Sequence, residues 1–295
     1  MPDLSTKTKY SADKFDLSII IVNFHTEELT LDCIDSVIKN TRGIKYEIIL
    51  VDSETTGKIK ISKNFKLIKS KTNLGFTGGN NLGMKDAKGK YILLLNSDTL
   101  IHDNVLGEMV LWMNGNPKIG ISTCALKNKN GSLQTTGGYF PTLLRVFSWM
   151  IIQDLPFVDN FIKPFHPKIN FYNGEKELDW VTGAFLLTRK EIVDEVGSLD
   201  EKYFMYVEDV DFCYRVKQKG FQIIYNPKWS ITHFGGASSV KAFPLISEMK
   251  NIKKFYEKFY PSWQQLPLKI LLKLGCLWRL FLISPKIYAK AFIEI

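Results

Sequence analysis

Apolar positions along the first hundred residues switch repeatedly between two rhythms. Leu17-Ser-Ile-Ile-Ile-Val-Asn23 is β-branched and almost uninterrupted, the pattern of a strand buried on both faces of a parallel sheet. Leu31, Ile34, Val37 and Ile38 then recur at helical spacing. Glu47 to Asp52 repeats the buried-strand pattern, Phe65 to Lys69 is a shorter strand, Asn80 to Ala87 reads as helix, and Tyr91 to Asn96 is strand again. This alternation predicts an α/β sheet with right-handed crossovers, whose ligands sit beyond the carboxyl ends of the strands. Further on, a helix is expected from about Lys190, another near Glu208, and a strand from Gln222 to Tyr225.

Polar residues at the ends of those strands carry the candidate chemistry. Asp52 and Asp98 each follow a strand, where Asp commonly caps a turn or helix. Together, at the crevice of an open sheet, they favour ligand binding. Between them, Asn73-Leu-Gly-Phe-Thr-Gly-Gly-Asn-Asn-Leu-Gly83 precedes a helical segment. Glycine amides approach ligands closely and a helix N-terminus favours a diphosphate, although the run matches neither dinucleotide nor P-loop fingerprints and also fits a plain flexible loop. Glu208, Asp209 and Asp211 crowd a helix start, where the dipole welcomes acids. Neighbouring carboxylates also repel, and one with a raised pKa serves as a general base. His233 follows the last strand and is placed to complete a metal site with Asp98.

Composition narrows the class. The 295 residues are 45% hydrophobic and 23% charged, ordinary for a globular chain of one large or two modest domains. Of the net charge of +9, the segment from Lys241 onward contributes +7, with ten basic and three acidic side chains. The main body is nearly balanced, which argues against nucleic acid as its partner. Cys33, Cys124, Cys213 and Cys276 form no CxxC pair, as expected in a reducing compartment. Met1 to Asp16 is polar, so no secretory signal is expected and the chain is expected on the cytoplasmic side. Three regions emerge: a polar extension (1–16), a main domain (17–240) and a basic tail (241–295). Within the main domain, residues 141–177 set Phe147, Trp149, Phe157, Phe161, Phe165, Phe171 and Tyr172 among prolines, an insertion or lid that supplies extra core or meets sugar or lipid. In the tail, Leu268, Ile270, Leu271, Leu274, Leu277, Trp278, Phe281 and Leu282 gather opposite Lys269, Lys273, Arg279, Lys286 and Lys290 on a helix. Such a helix suits an anionic membrane surface better than a membrane span, or it packs on the domain or another subunit.

Taken in order, SIIIVNF, the strand-end Asp52, NLGFTGGNNLG, LLLNSD, WVTGA, FMYVEDVDFCYR and HFGGAS resemble the bacterial family 2 glycosyltransferases, particularly the rhamnosyltransferase-like branch, over about Leu17 to Ser239. The resemblance implies a GT-A fold, a nucleotide-sugar donor, Mg²⁺ or Mn²⁺, and inversion at the anomeric carbon. It implies a nucleoside pocket at Asn23, Phe24 and Asp52, and a donor site shaped by Asn73, Gly75, Phe76, Asn80 and Asn81. The family's DxD is reduced here to Asn96-Ser-Asp98, leaving Asp98 to hold the metal with His233. Asp209 is implied as the general base, while Trp180, Gly183 and Glu208 place the acceptor or the donor phosphates. After Asp52 the family often shows Asn-x-Ser-x-Asp, whereas Ser53, Glu54, Thr55 and Thr56 stand here. The branch points to dTDP-rhamnose as donor ahead of UDP-hexoses, a glycan or polyprenyl-linked acceptor, and a peripheral place at the inner face of the cell membrane. Two other readings share parts of this pattern: a sugar nucleotidyltransferase, which releases pyrophosphate, and a non-catalytic nucleotide-sugar-binding module of a membrane assembly.

Overall fold

A computed structural model describes residues 14–155, 158–235, 243–282 and 285–295. The polar extension up to Asp13, Phe157, and Gly236 to Ser238 of the HFGGAS stretch lie outside the described residues.

The expected alternation forms, with most elements longer than the patterns that announced them. Strand β1 (Phe15–Asn23) leads to α1 (Glu27–Asn40), β2 (Tyr46–Asp52), β3 (Lys66–Lys69), α2 (Gly75–Asp86) and β4 (Gly89–Asn96). A short β5 (Thr99–Leu100), α3 (Val105–Asn114), β6 (Ile119–Lys127) and a two-residue β7 (Gly137–Gly138) follow. The aromatic insertion holds α4 (Leu143–Phe147), a π-helical turn at Ser148–Ile152, α5 (Val158–Phe161) and a 3₁₀ turn at Ile169–Tyr172. Next come β8 (Lys176–Leu178), β9 (Trp180–Val181), β10 (Phe185–Arg189), α6 (Lys190–Val196), α7 (Glu208–Gln218) and β11 (Gln222–His233). The tail is three helices, α8 (Phe243–Phe259), α9 (Gln265–Leu282) and α10 (Pro285–Glu294).

Nine strands form one mixed sheet in the order β3-β2-β1-β4-β10-β6-β11-β5, with β8 also on β11. Strands β3, β2, β1 and β4 are parallel, and β10 runs antiparallel between β4 and β6. Alternate side chains of the uninterrupted apolar strands enter two cores: Ile20, Ile49, Ile92 and Leu94 on one face, Ile19, Ile21, Leu50 and Leu93 on the other. Burial on both faces explains why these strands lack a polar alternation.

The glycine-rich run is helix, not a loop ahead of one. A Cβ on Gly79 would lie 2.7 Å from Val22, and one on Gly83 would lie 2.5 Å from Ile20, so these glycines let α2 rest directly on β1. Close packing, rather than amide contact with a phosphate, accounts for both residues.

The tail shares the core of the main body. Met249, Ile252, Phe255, Tyr256, Leu268, Leu272 and Cys276 are buried in the same apolar cluster as Val210, Phe212 and Val216 of α7. Lys258 of α8 donates to Asp211 (2.7 Å) and Asp200 (2.6 Å), while Arg279 of α9 donates to the Met150 and Trp149 carbonyls in the insertion. Of the insertion aromatics, Phe165 and Tyr172 are buried and Trp149 and Phe171 pack partly buried against the same cluster, whereas Phe161 is exposed. The four cysteines are buried free thiols. Among the described residues no helix is long and apolar enough to cross a membrane.

Candidate functional site

The parallel register aligns the carboxyl ends of three strands, pairing Asn23 with Asp52 and Val22 with Asn96. Above them opens a cleft of ≈ 960 Å³, a size suited to a nucleotide-sized ligand. Its wall includes Phe24, Asn73, Gly75, Phe76, Asn80, Asp98, Trp180, Gly183, Glu208, Asp209 and His233, so eleven of the fourteen residues named from the sequence converge on one cavity.

Asn23, Asp52 and Asn81 stand behind that wall. Asn23 Nδ2 donates to Asp52 Oδ1 (2.7 Å), and its Oδ1 accepts from the Thr26 amide and hydroxyl and from Thr30 Oγ1 (2.9 Å). The Thr55 hydroxyl donates to Asp52 Oδ2, so both carboxylate oxygens are engaged. These bonds fix the turns that present Phe24, Thr26 and Ser53 to the cleft. Asn81 turns the other way, accepting from the Leu199 amide (3.0 Å) and donating to its carbonyl (2.9 Å), which ties α2 to the segment after α6. Asn80 donates to the Phe76 carbonyl (2.9 Å). Gly75 adopts φ +65°, and a Cβ there would meet the Phe204 carbonyl at 2.4 Å, which excludes any side chain at this corner.

Asp98 and His233 meet through strand pairing. The second half of β11 runs antiparallel to β5 and sets His233 opposite Thr99, one residue beyond Asp98. His233 Nε2 lies 3.3 Å from Asp98 Oδ1 and 3.2 Å from Asn96 Nδ2. A carboxylate and an imidazole facing one cleft fit a divalent cation that takes its remaining ligands from phosphate oxygens and water, as Mg²⁺ habitually does. Among the described residues no three His, Cys, Asp or Glu side chains converge on a metal-sized point, so protein ligands alone make no closed cage.

On the opposite wall, two acids start α7 from a strained turn. Tyr206 and Val207 both have φ +72°, a conformation costly for a β-branched residue and typical of functional sites, at about 1–3 kcal/mol each. Asn251 of α8 holds the turn by donating to the Met205 and Tyr206 carbonyls, both at 2.9 Å. Asp209 accepts from the Gly183 amide (3.1 Å) and the Val210 amide (2.8 Å). Burial pushes its carboxyl up to about 6 against those two amides, with Glu248 of α8 adding to the rise. Burial, then Asp209, drives Glu208 far above the usual carboxylate range, and its Oε2 has no hydrogen-bond partner among the described residues. Asp211, grouped with them by sequence, faces away: Arg215 (2.7 Å) and Lys258 neutralise it inside the fold. Three clustered acids are therefore reduced to one adjacent pair. Gly183 leaves room for Phe76, whose ring edge would lie 2.5 Å from a Cβ. The buried Trp180 indole N–H has no hydrogen-bond partner among the described residues, and His166 of the insertion reaches Glu248 at 2.9 Å across the same cleft.

Sequence reasoning missed Asn251, Glu248 and His166. Only Asn251 left a trace, as a buried polar residue among the apolar positions Met249, Ile252 and Phe255 of an amphipathic helix. His166 and Glu248 are joined by tertiary folding alone.

Residues 18–197 match the family model described as glycosyl transferase family 2. The chain is 25% identical over 215 residues, 70% of its length, to the low-salt glycan biosynthesis hexosyltransferase Agl10 of Haloferax volcanii. It is 27% identical over 161 residues, 52% of its length, to the N-acetylglucosaminyl-diphospho-decaprenol L-rhamnosyltransferase of Mycobacterium tuberculosis. It spans 64% of the first relative and 50% of the second. A crystal structure of GalNAc-T7 with UDP, GalNAc and Mn²⁺ superposes with a TM-score of 0.60 at 16% identity, covering 85% of this chain and 49% of that one. The mixed sheet with flanking helices is thus the GT-A fold.

The Asn251 clamp generates a stability prediction. Asn251→Ala leaves two carbonyls beneath the strained turn without their donor and is expected to cost about 2–3 kcal/mol. Urea denaturation checks this, and a loss below about 0.5 kcal/mol would show that the turn holds itself.

Proposed function

Because this chain belongs to glycosyl transferase family 2, we propose that it transfers a sugar from a nucleotide-sugar donor to a hydroxyl of a glycan or lipid-linked acceptor, inverting the anomeric carbon. The observation that carries the reading is the cleft itself, with Asp98 and His233 on one wall and the accessible, weakly acidic Asp209 on the other.

Phe24, Ser53, Asn73 and Phe76 line the nucleoside end, with Asn23 and Asp52 bracing it from behind; Asn80 and Gly75 shape the donor site, and Asn81 steadies it from outside. Asp98 and His233 hold Mg²⁺ or Mn²⁺, which when bound offsets the charge on a departing diphosphate. Asp209 takes the proton of the acceptor hydroxyl as that oxygen attacks from the face opposite the diphosphate, so no covalent sugar intermediate is needed. Two backbone amides orient the Asp209 carboxylate, and its raised pKa makes it a better proton acceptor than an ordinary Asp. Glu208, whose burial favours the protonated form, and Trp180 offer hydrogen-bond donors to a bound sugar, with Gly183 keeping the floor open. The name of the mycobacterial relative supports rhamnose and a diphospho-polyprenol acceptor as first choices, with dTDP-rhamnose, the donor the resembled branch points to, ahead of UDP-hexoses.

Attachment to the inner face of the cell membrane is part of the same proposal. Helix α9 buries Leu268, Leu272 and Cys276 but exposes Leu266, Ile270, Leu274, Leu277 and Trp278 in a row, with Trp263 ahead of it. An apolar row within a tail of net charge +7 suits insertion at an anionic lipid surface. Sedimentation with phosphatidylglycerol-rich vesicles is expected to carry the protein down, and Ile270→Asp with Leu274→Asp to release it; equal binding by the double variant removes this attachment.

Incubation with dTDP-rhamnose, UDP-glucose and UDP-N-acetylglucosamine, with Mn²⁺, tests the activity. Release of nucleoside diphosphate is expected for one donor, reduced about 10²–10⁴-fold in Asp209→Asn. Since the base acts ionised, turnover should fall as pH drops through about 6 and recover above it. Pyrophosphate release would instead indicate a nucleotidyltransferase, and a fully functional Asp209→Asn chain a binding module.

A further inference from the structure

Gln134 lies between the end of β6 and β7, outside every motif, yet its side chain makes three hydrogen bonds around His233. Its Nε2 donates to the His233 carbonyl (2.7 Å) and to Asn128 Oδ1 (2.7 Å), and its Oε1 lies 2.7 Å from His233 Nδ1. A backbone carbonyl only accepts, so the amide end facing it must be the NH₂ group. Both amide protons are thereby used, and the oxygen is left for the ring. An amide oxygen only accepts, so His233 Nδ1 must carry the proton. In the neutral ring Nε2 is then bare, and it points at Asp98 Oδ1 (3.3 Å) with Asn96 Nδ2 donating to it at 3.2 Å. The Gln134 amide is itself pinned, its backbone N–H donating to the Leu126 carbonyl (2.8 Å).

We propose that Gln134 is a positioning residue that locks His233 in the Nδ1–H tautomer, so that its Nε2 lone pair is aimed beside Asp98 before a divalent cation arrives. The inference rests on the metal-binding role proposed for Asp98 and His233. Asn96, standing where an acid would otherwise be, completes the arrangement, since an amide donor fits a bare Nε2 in the free protein. A partner holding the far nitrogen of a ligating imidazole sets both its tautomer and its orientation, and loss of such partners typically weakens metal binding about 10–100-fold.

The test uses the full chain with ¹⁵N-labelled histidine, the His233 ring being assigned by its loss in His233→Gln. Long-range ¹H–¹⁵N spectra without metal, above the range in which histidine titrates, are expected to show Nδ1–H with a bare Nε2. Gln134→Met should move the ring towards Nε2–H and weaken Mn²⁺ binding, read by electron paramagnetic resonance with UDP present, by about tenfold or more. Gln134→Glu, which keeps an acceptor at Nδ1, should retain the wild-type tautomer, and circular dichroism should show both variants folded. A ring whose tautomer and Mn²⁺ affinity ignore Gln134→Met overturns this inference alone. A wild-type chain that takes up no Mn²⁺ with UDP, while its tautomer responds to Gln134→Met, overturns the proposed metal role and the ligand-positioning role with it.

Discussion

Glu208, which is buried, and the half-buried Asp209 are adjacent acids, and the surrounding fold is arranged around the cost of keeping them so. Burial drives both carboxyls above their ordinary range, with Asp209 adding to the rise of Glu208 and Glu248 adding to that of Asp209. The Gly183 and Val210 amides stabilise Asp209 in its charged form, while burial of Glu208 favours its neutral form. The pair leaves the backbone at a left-handed Tyr206-Val207 turn that local sequence does not favour. Such a turn persists only where tertiary contacts over-determine it. Two of those contacts come from Asn251, more than forty residues further along the chain.

This dependence changes what the tail is. Read as sequence, residues 241–295 form a basic appendage; folded, α8 supplies Asn251 beneath the turn, Lys258 against Asp211, and Glu248 at the cleft wall. Arg279 of α9 ties the tail to the insertion, and His166 of the insertion reaches back to Glu248. Sheet, insertion and tail thus close one cleft. The sheet provides the Asp98 and His233 wall through the pairing of β5 with β11, and the two later segments cover the acid pair.

The sheet was readable because its strands are buried on both faces, so that runs such as Leu17 to Asn23 and Tyr91 to Asn96 carry their own signal. The ends of those strands were equally readable, which is why Asp98, Phe24 and Asn73 fall in the cleft wall. Glycine misled: Gly79 and Gly83 read as part of a loop whose amides reach a ligand, but they are spaced four apart on one helix face and serve packing against β1. Asp211 misled for a similar reason, because proximity along the chain does not reveal which way a helical side chain points, and the (i, i+4) partner Arg215 takes it inward. Asp52 sits where expected, yet Thr55, one of the residues that departs from the family pattern, occupies its second oxygen. Gln134 and His166 were invisible, since each acquires its role only through a partner distant in sequence.

The most direct measurement is a crystal structure of the protein soaked with UDP and Mn²⁺. The account predicts the nucleoside against Phe24 and Ser53, the ion on Asp98 and His233 Nε2, and open space for an acceptor hydroxyl between the diphosphate and Asp209. A nucleotide bound outside this cleft, or an ion held without either Asp98 or His233, would contradict it.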